Sequence, residues 1–145
     1  GDPISLLVKW HRRSEFSHAA LLIPGTNTVI ESYPFWGVRK RELTSKDWTR
    51  IRAYRVPEMT ARQWMGAIQF AESQLGAGYD WRNVLRFVSR VPARENQRWF
   101  CSELVHEAIA KTYRSLLQEP RCYVDPGELA TSPLVARDEA FELFR

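Results

Sequence analysis

A cysteine and a histidine are the residues of this chain whose setting suits them to work together. Cys101 stands in Trp99-Phe100-Cys101-Ser102-Glu103-Leu104-Val105, and apolar residues follow at Leu104, Val105, Ala108 and Ile109. That is the one-sided spacing of an amphipathic helix, with the cysteine at the head of the stripe and its sulfur turned towards the fold. At a helix N-terminus a thiol meets the positive end of the macrodipole and N–H groups that no helical carbonyl accepts from. Both favour the thiolate, and those N–H groups, that of Ser102 among them, can donate to an oxyanion forming alongside. Taken alone, a cysteine so placed is more often a small buried residue of a core helix. A second stretch, Ser17-His18-Ala19-Ala20-Leu21-Leu22-Ile23, changes that balance by supplying a base.

There are three histidines, so each can be weighed. His106 lies five positions beyond Cys101, about 140° around the helix, and points away as a surface or cap residue. His11 sits in a basic loop with no strand partner. His18 is surrounded by Ala19, Ala20, Leu21 and Leu22, an inward-looking setting in which a histidine needs a partner. By itself it is more often a hydrogen-bonded core residue; with Cys101 and a carboxylate in reach, it reads as a general base.

The carboxylate comes from the next strand. Ser17 to Ile23 and Thr28 to Tyr33 read as strands joined by the turn formers Pro24-Gly25-Thr26-Asn27. A hairpin that closes with Ile23 opposite Thr28 sets Ala20 opposite Glu31 and His18 opposite Tyr33. His18, Ala20, Glu31 and Tyr33 then share one face, with Glu31 on the diagonal from His18 at roughly 7–8 Å between backbones. A slip of one residue would undo this arrangement. The chemistry implied is nucleophilic catalysis by Cys101, with His18 moving the proton and Glu31 holding the imidazole through its other nitrogen. The helix-start N–H groups would stabilise the oxyanion by about 3–4 kcal/mol per donor.

The remaining elements must position these groups. Ile4 to Lys9 has strand character, Gly37 to Arg41 suits an edge strand, and Ile51 to Val56 alternates up to Pro57. Thr60-Ala61-Arg62-Gln63 fits a capping box, after which Trp64, Ile68, Ala71 and Leu75 keep helical spacing up to Gly76. Trp81 to Val88 reads as a shorter helix, the Cys101 helix extends to about Tyr113, and Asp125-Pro126-Gly127-Glu128-Leu129 is a turn or helix start. Strands come early and helices late, which predicts an α+β fold with an antiparallel sheet packed against helices, one of them bearing the cysteine.

With 145 residues, 44% of them hydrophobic, the chain is expected to form one domain, 1–145, with a core that needs no disulfides or metals. Two cysteines, Cys101 and Cys122, make no disulfide framework, and no spacing of Cys and His ligands calls for zinc. No cofactor is expected, and Cys122 reads as a small hydrophobe. No apolar run approaches the roughly 18 residues that span a bilayer, and no signal peptide is visible, so a soluble protein is expected. The start at Gly1-Asp2-Pro3 suits a trimmed or processed product, which leaves the compartment open between cytoplasm, periplasm and secretion. Of 21 basic residues 17 are Arg, and the net charge is +4, suited to carboxylates or phosphates and too mild for a nucleic-acid binder. Arg82, Arg86, Arg90, Arg94 and Arg98 recur at every fourth position, interrupted by Pro92. They read as a solvated face or as an anion-binding surface beside the cleft. Trp10, Phe35 and Trp36 fall in loops flanking the hairpin, where they either line a substrate groove or cap the sheet.

The order of Gly1-Asp2, Ser17-His18-Ala19-Ala20, Val29-Ile30-Glu31-Ser32, Gly78-Tyr79-Asp80 and Phe100-Cys101-Ser102-Glu103-Leu104-Val105 resembles the circularly permuted NlpC-type cysteine hydrolases of the YiiX/YebB-like group. These form a branch of the papain-like superfamily. The resemblance runs from Gly1 to about Leu134. It implies Cys101 as nucleophile, His18 as base, Glu31 as its orienting partner and Tyr79 as the active-site tyrosine, although Tyr79 is equally an aromatic packed under the Cys101 helix. Phe100-Cys101-Ser102-Glu103 departs from the Asp-Cys-Ser-Gly of unpermuted members, which fits the permuted branch and weakens any claim to cell-wall specificity. The resemblance implies amide cleavage in a peptide or isopeptide, or in a peptidoglycan fragment. Two rivals remain: a thiol acyltransferase or lipase on a lipid-like substrate, and a non-catalytic module holding an anionic partner.

Overall fold

The computed structural model describes residues 6–10, 16–33, 35–78, 101–117 and 126–138. Six strands, β1 (Leu6–Trp10), β2 (Phe16–Leu22), β3 (Thr28–Tyr33), β4 (Gly37–Glu42), β5 (Ile51–Arg55) and β6 (Ala136–Arg137), form one sheet in the order β4-β3-β2-β1-β5-β6. Every neighbouring pair is antiparallel. Among the described residues four helices accompany it: α1 (Ser45–Trp48), α2 (Ala61–Ser73), α3 (Cys101–Thr112) and α4 (Pro126–Thr131). The architecture is α+β, with the cysteine at the first position of α3, as the sequence predicts.

The β2–β3 hairpin closes in the expected register. Leu21 pairs with Ile30 and Leu22 with Val29, and the Ile23 N–H donates to the Thr28 carbonyl at 2.9 Å. Gly25 takes φ +74° in the turn, a conformation open to glycine at little cost. Because successive side chains alternate, this register turns Ala19, Leu21 and Ile30 to one face and Ala20, Leu22 and Val29 to the other. The first face packs against Trp64, Ala67 and Ile68 of α2 and Leu104, Val105, Ala108 and Ile109 of α3. The second is closed by Leu43, Ala53, Trp48 and Ile51.

Helix α2 begins with the predicted capping box: Thr60 accepts from the Gln63 N–H, and the Gln63 side chain accepts from the Thr60 N–H. It ends at Ser73, so Leu75 lies beyond it and is exposed rather than continuing the apolar stripe. The indole N–H of fully buried Trp64 donates to the Leu22 carbonyl at 3.3 Å, tying α2 to the hairpin. Such a bond satisfies a donor that would otherwise be stranded in the core.

Two expectations, on Trp10 and His106, are corrected, and one element is added. Trp10 closes β1 and does not sit in a loop. The short helix α1, with a capping box between Thr44 and Asp47, was not expected from its four residues. His106 is buried, because α3 is enclosed on all sides along its first half: Ser102, Glu103 and His106 are as inaccessible as the apolar stripe. Such a helix belongs to the core and has no solvent face there. The Nε2–H of His106 donates to the Leu117 carbonyl at 3.4 Å, and burial lowers its pKa.

Candidate active site

Glu31 leaves the middle of β3 as a carboxylate only 1% exposed. Its two oxygens have different partners. Oε1 lies 3.2 Å from Nε2 of His18 on β2. Oε2 accepts from Nε of Arg39 at 3.1 Å and from Nε of Arg41 at 3.3 Å, and Arg39 adds Nη2 at 3.0 Å. Both arginines come from β4, where the pairing Glu31↔Arg39 sets them on the carboxylate's face. Arg41 reaches on to Asp47 of α1 at 2.9 Å. Asp47 is itself held by the Thr44 N–H and hydroxyl at 2.8 and 2.9 Å, and sits at about 2 despite partial burial.

The electrostatics follow from these contacts. Burial raises the Glu31 carboxyl, but His18, Arg41 and Arg39 outweigh it and hold it down at about 2. Burial likewise pushes the His18 imidazole down. The charges and hydrogen bonds of Cys101 and Glu31 overcome that, and hold it up at about 9. Both neighbours thus favour the charged imidazolium, the form in which both ring nitrogens donate. Since Nε2 faces Glu31, Nδ1 is the nitrogen left for the Cys101 side chain. The imidazole is 13% exposed.

Cys101 opens α3 and is 1% exposed. It is free rather than disulfide-bonded. Any reagent must displace covering atoms to reach its sulfur. The backbone N–H groups of this first turn belong to residues that include Ser102, itself fully buried, and by helix geometry they point out of the helix end. The structure thus brings Cys101, His18 and Glu31 to one place. It also adds Arg39, Arg41 and Asp47, which the sequence reading passed over. Tyr79, Cys122, His11, the arginine series 82–98 and the helix expected over Trp81 to Val88 lie outside the described residues.

Tyr33 borders the same site. Its ring stands edge-on to the His18 imidazole, with centroids 5.5 Å apart and planes at 80°. The Arg39 guanidinium lies 4.5 Å from the Tyr33 ring centroid and 5.5 Å from that of Trp36. Cation and rings attract each other through the ring quadrupole. The arginine that meets Glu31 is thereby also held by two aromatic faces.

Among the described residues no helix is long and apolar enough to cross a membrane. Comparison with known proteins gives two results. A family model for permuted papain-like amidases, YaeF/YiiX, the C92 family, matches residues 4–121. The chain is also 24% identical over 151 residues to a probable lipoprotein peptidase, YaeF, of Escherichia coli K12. The match takes in 80% of this chain and 54% of that protein, so the chain spans about half the length of this relative.

Proposed function

The chain belongs to the permuted papain-like amidase family, a family of cysteine peptidases and amidases, and from that premise we propose that it cleaves an amide through Cys101, His18 and Glu31. The observation that carries the reading is the position of His18, 3.2 Å from Glu31 on one side and under the electrostatic influence of Cys101 on the other.

Cys101 attacks the carbonyl carbon of the substrate as a thiolate, its proton having passed to Nδ1 of His18. The tetrahedral oxyanion is stabilised by the first-turn N–H groups of α3, which need no reorganisation as charge develops. His18 returns the proton to the leaving nitrogen, the C–N bond breaks, and a thioester remains on Cys101. A water molecule then attacks the thioester while His18 takes its proton, releasing a carboxylic acid and restoring the thiol. Glu31 keeps Nε2–H pointed at itself throughout, so the same nitrogen serves the sulfur in both halves. Arg39 and Arg41 keep Glu31 ionised, since an anion buried without them would take up a proton.

The substrate class is argued from the family. We take it to be a peptide or isopeptide amide, a peptidoglycan fragment being one candidate. The relative's name, a lipoprotein peptidase, agrees with peptide chemistry.

The test is intact-mass analysis after incubation with p-nitrophenyl acetate. The reading expects one acetyl group on Cys101, lost again with time, and none in Cys101→Ala. Acetylation elsewhere, or none, overturns it.

A further inference from the structure

The turn between β3 and β4 holds two large aromatic side chains in water beside the site. Phe35 is 89% exposed and Trp36 70%. Phe35 has φ +69°, left-handed backbone that an aromatic residue rarely adopts. The turn is braced from below. The Trp36 N–H donates to the Tyr33 carbonyl at 3.2 Å, the Val38 N–H to the Ala77 carbonyl at 2.9 Å, and the Gly76 N–H to the Val38 carbonyl at 3.0 Å. Gly37 sits so close to the Ala77 carbonyl that no side chain fits between them. Strained backbone that persists in a braced turn is a mark of binding sites.

Aromatic surface continues from this turn to the base. Trp36 and Tyr33 flank the Arg39 guanidinium, and Tyr33 meets the His18 ring. Arg39's charge is already matched by Glu31, so the surface offers π faces and apolar edges rather than a free cation. In acyl transfer the base delivers its proton to the leaving atom, which brings the leaving-group half of the substrate against whatever borders the base. We propose that Tyr33, Phe35 and Trp36 form the subsite for that half, and that it takes an uncharged amine component bearing an aromatic or branched aliphatic group. This rests on the reading of Cys101 as nucleophile and His18 as base.

Because deacylation retraces acylation, an incoming amine attacks the thioester from the same subsite. The acetyl-enzyme formed from p-nitrophenyl acetate is therefore offered phenethylamine and 2-methoxyethylamine, two amines of similar basicity, and the N-acetyl products are counted against acetate. The expected result is about tenfold more transfer to phenethylamine at equal concentration, a discrimination typical of an apolar pocket. That preference falls to near parity in Trp36→Ala and in Phe35→Ala, read as the ratio of the two N-acetyl products. Both side chains are exposed, so folding is not at stake. Equal transfer to the two amines, or a preference that survives both substitutions, overturns the subsite. Absence of acetyl on Cys101, read by mass before any amine is added, overturns the nucleophile assignment and with it this proposal; the two failures are told apart at that step.

Discussion

Arg39 and Glu31 lie directly opposite each other on β4 and β3, and the guanidinium meets Oε2 through Nε at 3.1 Å and Nη2 at 3.0 Å. With Oε2 so occupied, Oε1 is left to His18. The candidate base is thus oriented by a carboxylate that is itself fixed by a third strand. Arg41 shares Oε2 at 3.3 Å and ties the group to α1 through Asp47.

Replacing Glu31 with Gln keeps the shape and removes the charge. The account expects kcat/KM to fall about 10²- to 10⁴-fold, as when the acid of a triad is replaced by its amide. Glu31→Ala leaves two guanidinium groups without their shared anion and should cost about 3 kcal/mol of stability. That is the low end for a broken buried pair, because the arginines keep some water. Steady-state kinetics and urea unfolding read the two effects. A Gln variant with parental kcat/KM would remove Glu31 from the mechanism.

Arg39 and Arg41 back each other up on one oxygen. Either Ala variant should lower kcat about tenfold with little change in KM, and the double variant should lose more than the two single losses combined, as expected of residues sharing a partner. A double-mutant cycle on kcat measures the coupling. Strict additivity would mean that the arginines do not act through Glu31.

The pH dependence has a defined sign. His18 titrates near 6.5 when unfolded and is raised to about 9 in the fold. The stability it contributes is complete below 6.5, declines between 6.5 and about 9, and is gone above. Glu31 runs the other way: its contribution is present above 4.5 and is lost as pH falls through about 2. Unfolding midpoints should therefore drop between neutral pH and about 9, and that drop should be absent in His18→Gln. Activity that requires the imidazolium should fall on the same alkaline limb, whose inflection belongs to the coupled Cys101–His18 pair.

Gly37 and Gly25 separate two costs. Both have positive φ, but a Cβ at Gly25 meets open space, whereas one at Gly37 runs into the Ala77 carbonyl. Gly25→Ala should lose about 1–2 kcal/mol, from backbone conformation alone. Gly37→Ala should lose clearly more, because the Val38–Ala77 and Gly76–Val38 hydrogen bonds must shift as well. Chemical denaturation of the two variants gives the comparison; equal losses would mean that the brace is not rigid.

Much of this site is legible in local sequence. The Pro24-Gly25-Thr26-Asn27 turn has a definite length, so the alignment of His18 and Glu31 follows from it. Thr60 and Gln63 announce α2 by a reciprocal cap, and the stripe from Leu104 to Ile109 identifies the buried face of α3. What stayed hidden depends on third partners. Arg39 and Arg41 join Glu31 only once β4 pairs with β3 in the register that sets Arg39 opposite Glu31, a pairing the sequence reading did not make. The alternation Arg39-Lys40-Arg41 in an expected edge strand was the available clue. His106 seemed a surface residue because helical spacing reports one packed face, while the burial of the others comes from chain segments distant in sequence. Capping chemistry at Thr44 and Asp47 was present too, in a helix too short to show periodicity.

The central claim, that His18 activates Cys101, is tested most directly by iodoacetamide alkylation of Cys101, resolved by peptide mass, in the parent and in His18→Ala. Removing the imidazole uncovers the sulfur, which by itself would speed alkylation, so any slowing in His18→Ala reports the lost activation. At about pH 6–7, where an ordinary thiol is almost wholly protonated, the account predicts alkylation of the parent about 10²-fold faster than of His18→Ala. Equal rates in the two proteins across that range would contradict it.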